Sequence, residues 1–472
     1  MICRSDCNHF YRKRRIMGLH EKQPEPSSTT ERVVKVGKFP AEISVSGWFA
    51  TLPEVNLAPS LKGRVEADWV VVGGGWFGAN AARRIAELRR QDSVILVDAG
   101  AIGNNAGGRC AGYAIDLAHN PRNANFAEDE KGNVQERDLN VEGINYLREG
   151  VQRYGIQCDW SEEGKTHSAV TERGKECLKT FAQALDRIGV HYEWYNAAQM
   201  REMVGSKYYT LGLHTPGTVL LQPAAMLRGI AANLGNNATV FENTPIIEIR
   251  YGSPRHVLIT ADGEIHAKNV ILANNGFISE FGFYEKSAIP VYTYASMTRP
   301  LTEGEIAKIG GRNTYGLIPA ESFGTTVRRT IDNRLFIRNI YDYADGFHTT
   351  QAQLERAQAS HQKSFDRRFP EISKIGFQHT WGGALSLAQN GGLVFGQLAD
   401  RVFGAGFCNG TGVSKGAIFG KAVAELACGQ DSKSIRILKA KTRPSRAYPK
   451  FITSLGVKWS TRYRLWKAGL EV

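Results

Sequence analysis

Three glycines, Gly73, Gly75 and Gly78, and one acid, Asp98, have the types and spacing to hold a dinucleotide. In G-x-G-x-x-G, Gly73 lets the chain turn sharply off a strand, and Gly75 lets the backbone approach a pyrophosphate. Gly78 lets the following helix lie tight on the sheet. The helix that opens at Trp76 and Phe77 then offers unpaired N–H groups and a partial positive charge to the phosphates. Asp98, with Ala99 beside it, stands about 20 residues past the last glycine, where a carboxylate accepts hydrogen bonds from ribose hydroxyls. An ordinary α/β domain can carry a glycine-rich turn, but without the ordered set of elements around this one.

Those elements are legible. Trp69-Val70-Val71-Val72 is a continuous apolar run, read as a buried parallel strand. Phe77, Ala81, Ile85 and Leu88 then share one helical face, and Val94 to Val97 form a second apolar strand ending at Asp98. The stretch from Ala67 to Tyr113 is therefore a β-α-β unit with its glycines at the first turn.

The segment after the second strand selects the dinucleotide. Ala106-Gly107-Gly108-Arg109-Cys110-Ala111-Gly112-Tyr113 resembles the corresponding loop, roughly A-S-G-R-N-x-G, of the D-amino-acid oxidase (DAO) superfamily of FAD-dependent amine oxidoreductases. Gly107 replaces the usual serine and Cys110 the usual asparagine. The resemblance implies FAD, with the loop passing over the flavin and Gly108, Arg109, Cys110, Ala111 and Gly112 beside it. An NAD-only enzyme needs no second glycine-rich loop.

Further stretches follow in the family's order. Lys268 to Gly276 resembles the strand that returns to the cofactor sheet, which implies Asn274 near the adenosine end. Arg328 to Leu335 resembles a hairpin whose first arginine faces substrate. Thr326 and Val327 stand where that hairpin has an aromatic pair, and Arg338-Asn339 replaces its Gly-Gly. His379-Thr380-Trp381-Gly382-Gly383, with Asn390 to Gly396, resembles a segment of gamma-glutamylputrescine oxidase-like members and implies Gly382 at the cofactor. Gly406 to Val413 resembles the glycine-rich turn into a helix facing the flavin, which implies Gly410, Thr411, Gly412 and Val413 as contacts. A helix N-terminus there stabilises negative charge on a reduced flavin. The resemblance spans roughly residues 67 to 430, with its two ends more specific than its middle.

Catalytic candidates follow from that reading. Amine oxidation by a flavin needs orientation and water exclusion more than acid–base residues, so the absence of a Ser-His-Asp or paired-carboxylate signature fits. Arg328 and Arg338 offer planar forks for a substrate carboxylate. Arg109 either favours a reduced flavin's charge or serves as a loop salt bridge, and Tyr113 either lines the site or belongs to the core. Tyr292, Tyr294 and Trp381 either box a substrate amine by cation–π contact or are core. Cys110 and Cys408 raise the question of a covalent flavin link, and non-covalent FAD is the expectation. His379 is expected to be structural.

Composition bounds the rest. The chain has 472 residues and a formal charge of +13, with the basic excess at Arg12 to Arg15 and from Lys433 onward. No apolar run approaches the roughly 20 residues that span a bilayer. No apolar core follows Arg12 to Arg15, so the run does not read as a secretory signal, and Met17 is an alternative start. Seven cysteines (Cys3, Cys7, Cys110, Cys158, Cys177, Cys408, Cys428) show no CxxC pair, so neither a disulfide framework nor a metal site is expected. A cytoplasmic protein follows from that usage. Nothing resembles a nucleic-acid module. The aromatic and basic C-terminus either binds a membrane surface, making the protein peripheral, or packs on its own domain.

The expected fold class is α/β: a Rossmann-like FAD-binding domain of glutathione-reductase type, with a second α+β substrate domain built on a mixed sheet. Residues 1–35 read as a disordered leader and 36–66 as an extended arm. The FAD-binding segments are 67–155, 217–280 and 380–432, the substrate domain is 156–216 and 281–379, and 433–472 is a basic extension. Asn120 to Asp138 reads as a loop, and Gln157 to Trp160 as a short strand. The expected reaction oxidises a C–N bond of an amine or amino acid to an imine, with oxygen as acceptor. The alternatives are a dehydrogenase serving a membrane quinone and a flavin-binding protein without oxidase activity.

Overall fold

The structure is a computed structural model that describes residues 32–119 and 129–472. Strand β1 (Gly63–Val72), helix α1 (Trp76–Leu88) and strand β2 (Val94–Val97) form the expected unit, with β1 and β2 parallel. Successive side chains of a strand leave on opposite faces. Trp69 and Val71 join the apolar cluster under α1, whereas Val70 and Val72 join a second cluster on the other face. Both faces are covered, which is why the run is apolar without alternation.

Strand β3 (Gly263–Leu272) runs parallel to β1 along its whole length, and β7 (Val402–Gly406) adds in parallel beside its last three residues. Ala238–Phe241 extends the sheet beyond β2. The first half of β3 also turns back through Asp262-Gly263 onto His256–Ile259, which pairs in turn with Glu248–Tyr251. Helix α3 (Val413–Ala427) follows β7 and crosses α1 at glycines. A Cβ at Gly416 would overlap the Trp76 side chain, and one at Gly420 would overlap the carbonyl oxygen of Phe77. That close crossing sets the N-termini of α1 and α3 side by side.

Among the described residues the second sheet has eight strands. Its order is β6 (Phe377–Ala388), β4 (Ala288–Thr298), β5 (Leu335–Tyr343), Thr326–Arg329, Tyr315–Pro319, Lys165–Ala169, Leu211–Thr215 and Glu193–Asn196. Only Tyr315–Pro319 and Lys165–Ala169 pair in parallel, so the sheet is mixed, as expected.

Several local expectations are corrected. Helix α2 (Glu130–Tyr154) starts within the expected loop, capped by Asp129, which accepts from the Gly132 N–H at 2.7 Å. Its first turns are polar because Glu136 pairs with Lys415 of α3 rather than with apolar groups, so no hydrophobic period marks them. Residues 120–128 of that loop, and 1–31 of the expected leader, lie outside the described residues. Arg32–Lys35 forms a strand against Glu248–Tyr251 instead of belonging to a leader. The expected arm holds a short helix, Gly47–Ala50, capped by Ser46, and the start of β1 at Gly63. Gln157 to Trp160 makes no strand; the pairing there is a bridge between Ser161 and Leu220. Residues 380–388, expected with the cofactor segments, run in the second sheet as part of β6. The C-terminal region folds as Lys433–Ala440 and helix α4 (Lys450–Ala468). Among the described residues no helix is long and apolar enough to cross a membrane.

Candidate active site

A groove of about 190 Å³ opens along the C-terminal ends of β1, β2 and β3. Gly73, Gly75, Trp76, Phe77, Asp98, Ala99 and Asn274 line it. Gly73 has φ of +103°, a backbone state that favours glycine, and a Cβ added there would sit 3.0 Å from the Ala273 carbonyl oxygen. Gly78 does not line the groove; a Cβ there would overlap the Gly73 carbonyl, so its part is the tight helix–strand approach. A Cβ at Gly75 would meet nothing within 4 Å, so this glycine faces open space. The first helical hydrogen bond of α1 is Ala79 N–H to Gly75 O, which leaves the N–H groups of Trp76, Phe77 and Gly78 outside the helix ladder.

Asp98 is more engaged than its position in the sequence implies. Its carboxylate accepts from the N–H groups of Gly74 at 2.6 Å and Gly100 at 2.9 Å, and from Asn105 Nδ2 at 3.2 Å. Burial raises its pKa, and those hydrogen bonds oppose the rise. Three other oxygens in the groove, Asn105 Oδ1, Asn274 Oδ1 and Ser386 Oγ, are buried with no hydrogen-bond partner in the protein. Buried acceptors are normally satisfied, so this cluster marks a place for a polar ligand.

A second cavity of about 740 Å³ lies between the first sheet, the strands β4 and β5, and helix α4. It shares Cys110, Leu385, Cys408, Gly410 and Gly412 with the groove, so the two spaces meet at one wall. Ala111, Gly112, Tyr113, Thr411 and Val413 line the cavity side of that junction. Gly412 caps α3 without a side-chain hydrogen bond, so the N-terminus of α3 also opens there.

The loop between the two spaces is held from behind by indoles. Trp76 Nε1 donates to Gly107 O at 2.9 Å, Trp48 Nε1 to Cys110 O at 2.8 Å and Trp381 Nε1 to Arg109 O at 3.1 Å. Arg109 lines the cavity, yet its guanidinium is consumed by the protein. It donates to Asn104 O at 2.8 Å, Gly382 O at 2.9 Å and Ser44 O, and pairs with Glu42 at 3.3 Å. Burial raises the Glu42 carboxyl above its ordinary range even with that partner.

Five expected site residues sit behind the walls instead of in them. Arg328 is buried, donating from Nη1 to the carbonyls of Ala111, Gly112 and Leu221 at 3.1, 3.1 and 2.7 Å. Its guanidinium also stacks 5.1 Å from the Trp48 ring, so it braces the loop from behind the cavity wall. Trp381 is fully buried among Trp48, Ala295 and Phe336. Gly382 lies under Arg109, and Gly108 packs where a Cβ would overlap the Gly103 carbonyl. Gly78 is the fifth. Tyr292 is core, bonded to Glu42 and Phe347 O, whereas Tyr294 lines the cavity with its hydroxyl near Asp342 and Thr349.

Arg338 is the expected cation that faces the cavity. Among the described residues its side chain has no hydrogen bond or ion pair, and it stacks 5.0 Å from the Tyr341 ring. Tyr113 lines the cavity with its hydroxyl 3.2 Å from Val327 O, and burial pushes its pKa up. His119, missed in the sequence, lines the far end near Lys415 and Glu136, where burial lowers its pKa to about 3. Helix α4 supplies Val457, Ser460, Thr461 and Arg464; the sequence marks this stretch as a basic segment on its own domain or on a membrane, but not as a cavity wall, because a surface helix and a cavity wall share one spacing.

The profile of the FAD-dependent oxidoreductase family (DAO) matches residues 68–426. The chain belongs to this family. Its cofactor is FAD, and the orphan oxygens and glycine cradle of the groove fit such a group. The probable oxidoreductase OrdL of Haemophilus influenzae is 23% identical over 415 residues, covering 86% of this chain and 93% of that one. The gamma-glutamylputrescine oxidoreductase of Escherichia coli is 26% identical over 375 residues, covering 78% and 85% respectively. The solved structure of glycine oxidase from Geobacillus kaustophilus superposes with a TM-score of 0.67 at 19% identity, covering 81% of this chain and all of that one. That likeness fixes the fold.

Proposed function

We propose that this FAD-dependent oxidoreductase oxidises a C–N bond of an amine or amino acid that carries a carboxylate, giving an imine that water hydrolyses, with oxygen as the electron acceptor. The observation that carries the reading is the unpaired Arg338 in a cavity that shares a wall with the dinucleotide groove. The relatives whose names mention gamma-glutamylputrescine and glycine act on amino compounds bearing a carboxylate, which agrees.

Gly73, Gly75, Trp76, Phe77, Asp98, Ala99 and Asn274 would hold FAD at the groove, and Cys110, Ala111, Gly112, Gly410, Thr411, Gly412 and Val413 at the junction. Bound there, FAD supplies the two-electron acceptor. Arg338 takes the substrate carboxylate through its planar fork. Val291, Ile318, Leu385 and Phe407 exclude water around the reacting carbon. FAD is held without a covalent bond, because burial raises the thiols of Cys110 and Cys408 and keeps them from acting as nucleophiles.

Oxygen uptake by the holoenzyme, screened over amines with and without a carboxylate, tests the reading. Flavin bleaching under anaerobic conditions with no oxygen uptake would favour the second reading, a dehydrogenase serving a membrane quinone. The outward aromatic face of α4 speaks for that one. Bleaching by no amine would sink both.

A further inference from the structure

Helix α4 presents two unlike faces. Val457, Ser460, Thr461 and Arg464 point inward and wall the main cavity. Phe451, Leu455, Trp459 and Trp466 point outward and are 68%, 66%, 71% and 78% exposed. Spacings of four, four and seven residues put these side chains on one stripe, and Ile452 and Tyr463 widen it. Tyr463 stacks on Trp459 at 5.7 Å and lies 6.0 Å from Trp466, so the stripe is one continuous aromatic surface. Exposed apolar surface of this kind marks an interaction site.

The orientation of the stripe is fixed. Upstream of α4, Asn390 donates to Arg443 O, and the Ala447 N–H bonds Lys286 O at 2.8 Å. Downstream, Glu471 accepts from the N–H groups of Val170 and Thr171 at 2.9 and 2.8 Å, and Arg368 donates to Glu471 O at 3.0 Å. The helix is strapped across the cavity at both ends, and the aromatic face cannot roll inward without breaking those bonds.

Charge selects the partner. Residues 432 to 470 contain eleven Lys and Arg and no Asp or Glu. Lys458 and Arg462 flank the stripe and have no ion pair among the described residues, while Lys467 lies 5.9 Å from the Tyr463 ring. A second copy of the chain facing this surface would set these cations against themselves. An anionic lipid surface instead takes the aromatics at its interface and the cations at its headgroups.

We propose that the outer face of α4 docks this protein on an anionic membrane, so that one helix is both the membrane contact and a wall of the main cavity. The helix lies past the stretch matched by the family profile, which ends at residue 426. The docking holds whichever acceptor takes the electrons.

The test is pelleting of the full-length holoenzyme with phosphatidylcholine vesicles, with and without phosphatidylserine. Pelleting is expected with phosphatidylserine vesicles alone. Each of K458Q and R462Q should weaken it about fivefold. W459S/W466S should weaken it roughly tenfold or more, with flavin content and melting temperature unchanged because both residues face solvent. Wild type left in the supernatant overturns the proposal, as does pelleting unaffected by W459S/W466S. Equal pelleting with uncharged vesicles overturns the assignment to anionic lipid. A dimer in sedimentation velocity that W459S/W466S abolishes, without vesicle binding, gives the face to a second copy. An oligonucleotide shift without vesicle binding gives it to nucleic acid.

Discussion

Trp381 and Arg109 hold each other: the indole N–H donates to the Arg109 carbonyl at 3.1 Å, and the Arg109 guanidinium returns to Gly382 O at 2.9 Å, one residue on from Trp381. Arg109, read as a flavin partner or a loop salt bridge, and Trp381, read as a substrate box or core, are thus a clasp between the loop and β6. The loop forms the wall shared by the groove and the main cavity, so the clasp fixes that wall. W381F should lose the indole N–H and part of the ring packed against Trp48 and Phe336, leaving the Arg109 carbonyl unsatisfied at a cost of about 1 to 3 kcal/mol for the hydrogen bond alone. The expected result is weaker FAD retention on dialysis, read as the ratio of flavin to protein absorbance. Retention equal to wild type would show that the loop is held without it.

Arg328 and Arg338 look interchangeable in the sequence and should behave as opposites. Arg338 is unpaired and faces the cavity, so R338Q should raise KM at least tenfold for amines bearing a carboxylate and hardly at all for those without one. Melting temperature should stay close to wild type. R328M takes the donor from the Ala111 and Leu221 carbonyls, while Gly112 O keeps the Leu221 N–H at 2.9 Å, and should lower stability by about 2 to 3 kcal/mol, with flavin loss accompanying it. Steady-state kinetics beside thermal denaturation separates the two. A stable R328M with a raised KM would reverse the assignment.

What the sequence discloses follows the range of each interaction. The β-α-β unit rests on local periodicity and glycine spacing, so the strand at Trp69 and the turn at Gly73 into α1 are legible. Arg328 is not, because its acceptors are carbonyls of Ala111, Gly112 and Leu221, more than a hundred residues away and identical in type to any others. The first turns of α2 escape notice because their buried Glu136 meets Lys415 instead of apolar groups. Trp48 gives no local signal at all. It lies in a stretch without period, yet its indole reaches Cys110 O across the fold.

FAD should leave on acid precipitation. Burial raises both Cys110 and Cys408, so neither presents a thiolate to the junction where they stand. Flavin absorbance is expected wholly in the supernatant after acid treatment of wild type, and unchanged in C110A and C408A. Flavin remaining in the pellet, and released only by one of these variants, would identify that cysteine as an attachment point.

His361 should make stability fall with acid. Its ring is fully buried, with Nδ1 2.7 Å from Ser296 Oγ and Nε2 3.4 Å from Asn339 O. Desolvation lowers its pKa from 6.5 to about 4, and the nearby Arg338 acts in the same direction. In the unfolded chain the histidine takes up a proton as pH falls below about 6.5, whereas the folded protein resists until about 4. Acid therefore favours the unfolded state across that window. The contribution is fully present above 6.5 and is lost towards pH 4, reaching about 2 kcal/mol by pH 5. H361N should be less stable than wild type at pH 7 through lost packing against Phe377. It should also lose less stability than wild type between pH 7 and pH 5, by about 2 kcal/mol. Denaturant unfolding at the two pH values measures this difference directly, and parallel pH profiles for the two proteins would show that the histidine does not titrate in that window.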